Sequence, residues 1–361
     1  MEAAEEFAVT RLALVMIARD EARAIGRTLD SARPYVERMI VLDTGSRDAT
    51  REIARACGAE VHDFAWSDDF AAARNAALAH SDADWNLVLD ADEWIADGAE
   101  ALGPQTLPAG RGGFLGEVRI ASLQDQPGAE GTGQAWIGRV LPAGVGYAGR
   151  IHEQPISSLC SVRLPLVIGH DGYTTENLAR KGGRNETLLM RELEAAPQDP
   201  YLWLQIAKEH QARGRAPQAA FCFTEALRLA PADAGYRHAL VVRAMIALKA
   251  DGRLDEALSL ADAEVDNWLE SPDFYFVVGD LYLEAAAREP GRAMADLLPI
   301  VESAWKRCLR IGERPDLDGA VAGRGGHMAA HNLSVFYKTL GQTEQAAEYA
   351  VLAQKLRGTT A

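Results

Sequence analysis

Between residues 11 and 95, short strand-like runs alternate with single helical stretches, and this alternation restricts the chain more than any other feature. The runs at 12–17, 39–42, 60–63 and 85–89 have strand length, and the stretches 21–32, 48–57 and 70–79 carry helical spacing between them. Strands separated by one helix each predict an α/β, doubly wound, mostly parallel sheet with right-handed crossovers. In such sheets ligands gather at the carboxyl ends of the strands. Asp43 follows the second run and Asp90 the fourth, so both acids are expected at one edge.

The segment "NLVLDADEWI" (86–95) runs from apolar residues directly into Asp90, Asp92 and Glu93. Buried charge is costly unless it is paired or bound to a metal, so this cluster needs solvent or a cation. In an extended segment residues i and i+2 point the same way, which lets Asp90 and Asp92 present oxygens to one side. Two hard anionic oxygens beside solvent suit Mg²⁺ or Mn²⁺ carrying a substrate diphosphate. Glu93 is open to two roles, holding a metal-bound water or acceptor hydroxyl, or capping a helix formed by the following "WIADGAE".

Residues 100–165 are rich in glycine, as in "RGGF" and "AGVGYAG", and read as short strands and loops. From residue 200 the pattern becomes helical and repetitive. A 34-residue tetratricopeptide frame closing on Pro231 puts Trp203, Ala207, Ala219, Phe223 and Ala226 on its aromatic or small positions. Further copies of the frame recover Gly252 and Ala257, then Tyr275, Gly279 and Tyr282, then Leu333, Tyr337, Gly341 and Ala346. Small residues let helices approach closely, and stacked repeats bury a core that none could bury alone. A stretch from Pro290 to Arg324 reads as an insertion in the last repeats.

A formal net charge of −15 argues against a general nucleic-acid or anionic-membrane binder, which needs a basic face to neutralise phosphates. The apolar run 12–18 is too short to span a bilayer and follows acidic residues, so no transmembrane segment and a cytoplasmic location are expected. Cys57, Cys160, Cys222 and Cys308 lie far apart without C-x-x-C spacing, which suggests reduced thiols and no zinc site.

Four elements within 11–95 follow one another in a specific order: the first strand with Ile17 and Ala18, the "DTGSRDAT" turn at 43–50, the "FAAARNAAL" helix and "DADE". Together they resemble the amino-terminal half of family 2 glycosyltransferases, which have the GT-A fold. A subgroup of that family also carries later elements similar to "GRIHEQ" (149–154) and "HDGYTTENLARKGGRNETLL" (170–189), and some members bear tetratricopeptide repeats behind the catalytic domain. The chain departs from the pattern at Asp20, where Asn is usual, and at "RVLP" (139–142), which weakens any acceptor-side role for Arg139. The implied organisation is a GT-A nucleotide-sugar-binding domain over 1–190 and an all-α tetratricopeptide-like domain over 191–361.

The resemblance implies a metal-dependent, inverting transfer of a hexose from a nucleotide-diphosphate sugar, a UDP-sugar being favoured. Ala18, Glu21, Asp43, Arg74, Asp90, Ala91 and Asp92 are then expected around the donor, with Asp43 near base and ribose. Asp90, Asp92 and His170 are expected around Mn²⁺ or Mg²⁺. A cation neutralises the departing diphosphate. Arg74 is suited to a phosphate or to holding Asp43, or to a purely structural ion pair. Glu153 is the first choice for the base that takes the acceptor proton, and His152 the second. Trp94 and Trp136 are candidates for a sugar platform, against the alternative of core packing.

The acceptor, a polypeptide or a glycan, is expected to be recruited by the repeats, which also offer a surface for homo-oligomer formation. A rival reading takes the chain as a peptide-binding scaffold whose amino-terminal domain is degenerate. That the acids Asp43, Asp90, Asp92 and Glu153 and the downstream His170 are all present favours catalysis. A nucleotidyltransferase would want a glycine-rich phosphate loop after the first strand, and "MIARDEARA" has none.

Overall fold

The computed structural model describes residues 10–109, 113–124, 131–173 and 184–358. Part of the "HDGYTTENLARKGGRNETLL" element, 174–183, lies outside the described residues. The chain divides into two compact units that part between Arg184 and Asn185, except that Gly131–Gln134 groups with the second.

The first unit is built on an eight-stranded sheet. Strands β1 (Leu12–Ala18), β2 (Arg38–Asp43), β3 (Glu60–Asp63) and β4 (Trp85–Val88) are the four runs anticipated, and they pair with one another in parallel. Between them lie α1 (Ile25–Ala32), α2 (Thr50–Ala56) and α3 (Phe70–Leu78). Side chains alternate across β1, so Leu14 and Met16 pack with Ile25 and Leu29 of α1, while Ala13 and Val15 pack with Ala73 and Ala77 of α3. A strand covered on both faces has no polar side, which is why 12–16 reads as a continuous apolar run.

The α1 helix begins later than its periodicity suggests. Asp20 is in the left-handed region (φ 54°), held by Ser46 Oγ and by its own carboxylate on Arg47 N. Glu21 O then accepts from Ala24 N and Ile25 N in a turn before the helix starts. Asp tolerates this backbone nearly as well as Asn, so the departure at position 20 leaves the turn intact.

Beyond residue 90 the structure differs from expectation. Glu93–Asp97 is a strand, β5, and not a helix. The stretch 100–165 holds long strands, β6 (Leu115–Gln124) and β7 (Gly131–Pro142), followed by the short β8 (Gly146–Ala148) and β9 (Gln154–Ile156) and by β10 (Ser161–Tyr173). Across the sheet the order is β3-β2-β1-β4-β7-β6-β10-β5, with β4–β7 and β10–β5 antiparallel and β6–β10 parallel. Glycine obscured these strands in the sequence because several serve close approach. Gly169 of β10 faces Trp94 of β5, and a Cβ there would lie 2.3 Å from the indole. The opposite side of that ring is covered by the Arg27 guanidinium at 3.7 Å. Arg27 and Arg23 both clamp Asp171. Trp94 is thus packing against α1 and not a sugar platform.

The second unit is helical: α4 (Arg184–Ala195), α5 (Pro200–Ala212), α6 (Ala216–Leu229), α7 (Arg237–Ala250), α8 (Leu254–Glu264), α9 (Pro272–Arg288), α10 (Leu298–Ile311), α11 (His327–Thr339) and α12 (Thr343–Arg357). The repeat frame is visible in its buried positions. Ala207, Ala219, Phe223, Ala226, Ala257, Tyr275, Leu333, Tyr337 and Ala346 are all buried. Gly252 and Gly341 turn the chain between helices with positive φ. The insertion is narrower than its sequence suggests, since α10 lies within it and packs on α9. Gly279 admits the Trp305 ring, whose Nε1 donates to Phe276 O. The connection 312–326 is the irregular part, and it is tied down by Asp273, which accepts from Val321 N and from Arg324.

Because the Trp94 ring is held on both sides, Gly169→Ala is expected to cost about 1–3 kcal/mol through overpacking. Urea unfolding of the two proteins measures it; an unchanged midpoint would mean that β5 gives way freely.

Candidate functional site

Asp43 ends β2 and is almost wholly buried. Its Oδ2 accepts from Gly45 N (3.1 Å) and Ser46 N (3.0 Å), so the "DTGS" turn closes on its own carboxylate. Gly45 makes this possible with φ 103°. The other oxygen, Oδ1, is buried without a hydrogen-bond partner. Ala18 pairs with Asp43 across β1 and β2, and its carbonyl accepts from Thr44 N. Glu21 stands beside the same turn, with its N–H on Thr50 Oγ1.

The turn between β4 and β5 carries the acidic motif. Ala91 is buried with its carbonyl on Thr28 Oγ1, which anchors the turn to α1. Asp90 does not face Asp92. Its Oδ1 accepts from Arg74 Nη2 (2.6 Å) and its Oδ2 from Arg139 Nη2 (2.9 Å). Burial alone would raise the Asp90 pKa, and the two guanidiniums reverse this and hold it well below the usual carboxylate range. Glu93 is deeply buried; Oε1 accepts from Arg139 Nη2 (2.6 Å) and Oε2 from Asp90 N (2.9 Å). Burial pushes the Glu93 carboxyl up, against the pull of Arg139.

Asp92 turns toward β10. Its Oδ2 lies 3.6 Å from His170 Nε2, and Ser122 Oγ lies 3.1 Å from Nδ1 of the same ring. A hydroxyl accepting from Nδ1–H would leave Nε2 as the acceptor, the form that ligates metal. Among the described residues no three His, Cys, Asp or Glu side chains converge as a ready metal cage. Two protein ligands still fit a cation that keeps several waters and takes the rest of its shell from phosphate oxygens, as Mg²⁺ commonly does.

Arg74 is buried on α3 and does not reach Asp43. It bridges instead, with Nη2 on Asp90 and Nε on Glu153 Oε1. Glu153 and His152 sit on the turn between β8 and β9, and His152 adopts φ 52°. The structure therefore brings together Arg74, Asp90 and Glu153 as one group, and Asp92 and His170 as another.

The departure of its neighbours from the family pattern weakens an acceptor-side role for Arg139 in the sequence, yet it joins the first group through Asp90 and adds Glu93 to it. Only its place in the sheet shows this, since β7 pairs with β4 and carries the side chain beside the acidic turn. Tyr147 was also missed. It is buried under Arg74, with its ring 5.5 Å away and its hydroxyl unpaired, and burial raises its pKa.

The Glycosyl transferase family 2 model matches residues 13–108. Residues 13–108 form a family 2 glycosyltransferase domain. The unit that contains this domain has the GT-A type of sheet, and a tetratricopeptide-like helical unit follows it. A TPR repeat-containing protein of Synechococcus elongatus is 52% identical over 86 residues, which is 24% of this chain and 21% of that protein. The SPbeta prophage-derived glycosyltransferase SunS of Bacillus subtilis is 26% identical over 200 residues, which is 52% of this chain and 46% of SunS. The chain thus spans less than half the length of these relatives. Glucosyl-3-phosphoglycerate synthase from Mycobacterium tuberculosis, solved with Mn²⁺, UDP and glucosyl-3-phosphoglycerate, is 25% identical with a TM-score of 0.26, covering 32% of this chain and 44% of that one.

Removing Arg139 would strand the Glu93 carboxylate. Arg139→Met is expected to destabilise the fold by about 3–5 kcal/mol at pH 7, the usual cost of an uncompensated buried charge. An acid whose pKa is raised on folding is penalised as pH climbs through that raised value, so the loss should shrink at pH 5, where Glu93 can take a proton. Urea titrations at both pH values test this; an equal loss at each would exclude Glu93 as its source.

Proposed function

We propose that the chain is a metal-dependent, inverting glycosyltransferase that moves a hexose from a nucleotide-diphosphate sugar, UDP being the favoured nucleotide, to a polypeptide or glycan. The observation that carries the reading is the gathering at one sheet edge of Asp43, of Asp92 beside His170, and of Glu153 held by Arg74. Asp43 offers a buried, unpartnered Oδ1 where base or ribose donors can bind. Asp92 and His170 would hold Mn²⁺ or Mg²⁺, and Glu153 is joined to Asp90 through Arg74. The family 2 match over the strands that build this edge and the similarity to the glycosyltransferase SunS support the same reading.

When bound, the cation supplies positive charge to the departing diphosphate. The remaining steps belong to the chain's own residues. Ala18, Glu21 and Asp43 line the nucleotide end, and Ala91 sets the acidic turn against α1. Asp90, pinned by two arginines, stays ionised beside the sugar. Glu153 takes the proton from the acceptor hydroxyl as its oxygen attacks the anomeric carbon, and His152 fixes the turn that aims it. The helical unit is assigned to recruiting the acceptor and to association between copies. Among the described residues no helix is long and apolar enough to cross a membrane.

A thermal-shift panel of UDP-, GDP-, CMP- and dTDP-sugars with and without Mn²⁺ tests the donor. A ligand at about 100 times its Kd adds about 2.7 kcal/mol to the folded state, a readable rise in Tm. UDP-sugars with Mn²⁺ should give the largest rise, and Asp92→Asn should abolish its Mn²⁺-dependent part. If no nucleotide sugar moves the melting curve in either condition, the assignment falls.

A further inference from the structure

Glu153 stands on a turn whose own backbone does not dictate where its carboxylate points. Contacts from α3 supply that direction. Phe70 N donates to Arg150 O at 2.8 Å. The Asn75 side-chain amide donates to Tyr147 O (2.9 Å) and accepts from Tyr147 N (2.8 Å). The segment from Tyr147 to Arg150, which leads into Glu153, is thereby pinned to a single helix. His152, next to Glu153, is in the left-handed region with φ 52°, a backbone uncommon outside glycine that turns the chain sharply just before the carboxylate.

Arg74 projects from the same helix face. Its Nε meets Glu153 Oε1 and its Nη2 meets Asp90 Oδ1 at 2.6 Å. The guanidinium is planar and rigid, so grasping two carboxylates fixes their relative orientation, which a lysine ammonium cannot do. Arg74 is buried and flanked by Tyr147, which leaves little room for water to replace it.

We propose that Arg74 is a positioning residue for acceptor activation: it holds Glu153 by Oε1, leaves Oε2 for the acceptor, and through Asp90 sets donor and acceptor sides of the site with one side chain. This deepens the glycosyltransferase reading above and rests on it. In the step concerned, the acceptor oxygen bonds to the anomeric carbon while the bond from that carbon to the diphosphate oxygen breaks. The electron pair leaves on the diphosphate, and the acceptor proton ends on Glu153 Oε2.

The test follows nucleotide release from the UDP-, GDP-, CMP- and dTDP-sugars with Mn²⁺, using the full chain and water as the acceptor. Glu153→Gln should slow release about 10²-fold or more, the scale of general-base catalysis. Arg74→Lys should slow it at least about tenfold, and the double variant should be no slower than Glu153→Gln beyond about threefold, since residues that act as a unit are not additive. Guanidinium chloride should restore part of the rate to Arg74→Ala and none to Arg74→Ala/Glu153→Gln. Losses that multiply in the double variant, or rescue that does not depend on Glu153, would overturn the proposal. Should the Arg74 variants melt below assay temperature, Asn75→Ala, which loosens the same turn without removing charge, enters the cycle under the same criterion. Full release by Glu153→Gln would instead overturn the base assignment, so the two failures are distinguishable.

Discussion

The first unit depends on one interaction, the grip of two buried guanidiniums on Asp90. Arg74 comes from α3, Arg139 from β7 and Asp90 from the turn after β4, while Glu93 opens β5 and Glu153 follows β8. Five residues from four separate segments of the chain meet at this point. Buried charges lose solvation, and the cluster persists because each carboxylate finds a guanidinium at hydrogen-bond distance. Two cations face three carboxylates, so the edge keeps a surplus of negative charge once Asp92 is added beside them. Such a surplus suits a divalent cation and, through it, a diphosphate.

The sheet arranges this meeting. Parallel β1 to β4 deliver Ala18, Asp43 and Asp90 to one edge because parallel strands share a carboxyl end. The antiparallel β7 then runs back along β4 and brings Arg139 beside the turn from the opposite direction. On β10, His170 is opposite Glu93 and Gly169 opposite Trp94, so one register puts the imidazole on the site face and the indole on the α1 face. Slipping β10 by one residue against β5 would turn the imidazole to the α1 face and away from the site.

In the second unit small residues set the spacing between helices, as where Gly279 receives Trp305. The connection 312–326 is held by polar groups that the helix ends leave available. Asp273, near the start of α9, takes Val321 N and Arg324, and His238, near the start of α7, meets Asp318 O at 2.6 Å. Buried polar side chains of this kind fix a loop that has no regular structure of its own.

Hydrophobic period and local turn chemistry determined much of the architecture without the fold. The four parallel strands, the helices between them, the "DTGS" turn with its glycine and the small and aromatic repeat positions are all local signals, carried by residues close together in the chain. Asp43 and Asp92 were legible as acids after strands for the same reason. The partners of the acids were not. Arg74 was open between a phosphate, Asp43 and a structural ion pair, and its actual partners Asp90 and Glu153 were not named; Arg139 carried only a weakened acceptor-side role, and for Trp94 the packing alternative holds. Side-chain pairing is decided by strand order and register, which bring together residues 79 positions apart in Arg74 and Glu153 and 148 apart in Arg23 and Asp171. Sequence fixes which groups carry charge; only the closed sheet decides which of them touch, because a buried ion's partner is whatever the tertiary structure places within a few ångströms of it.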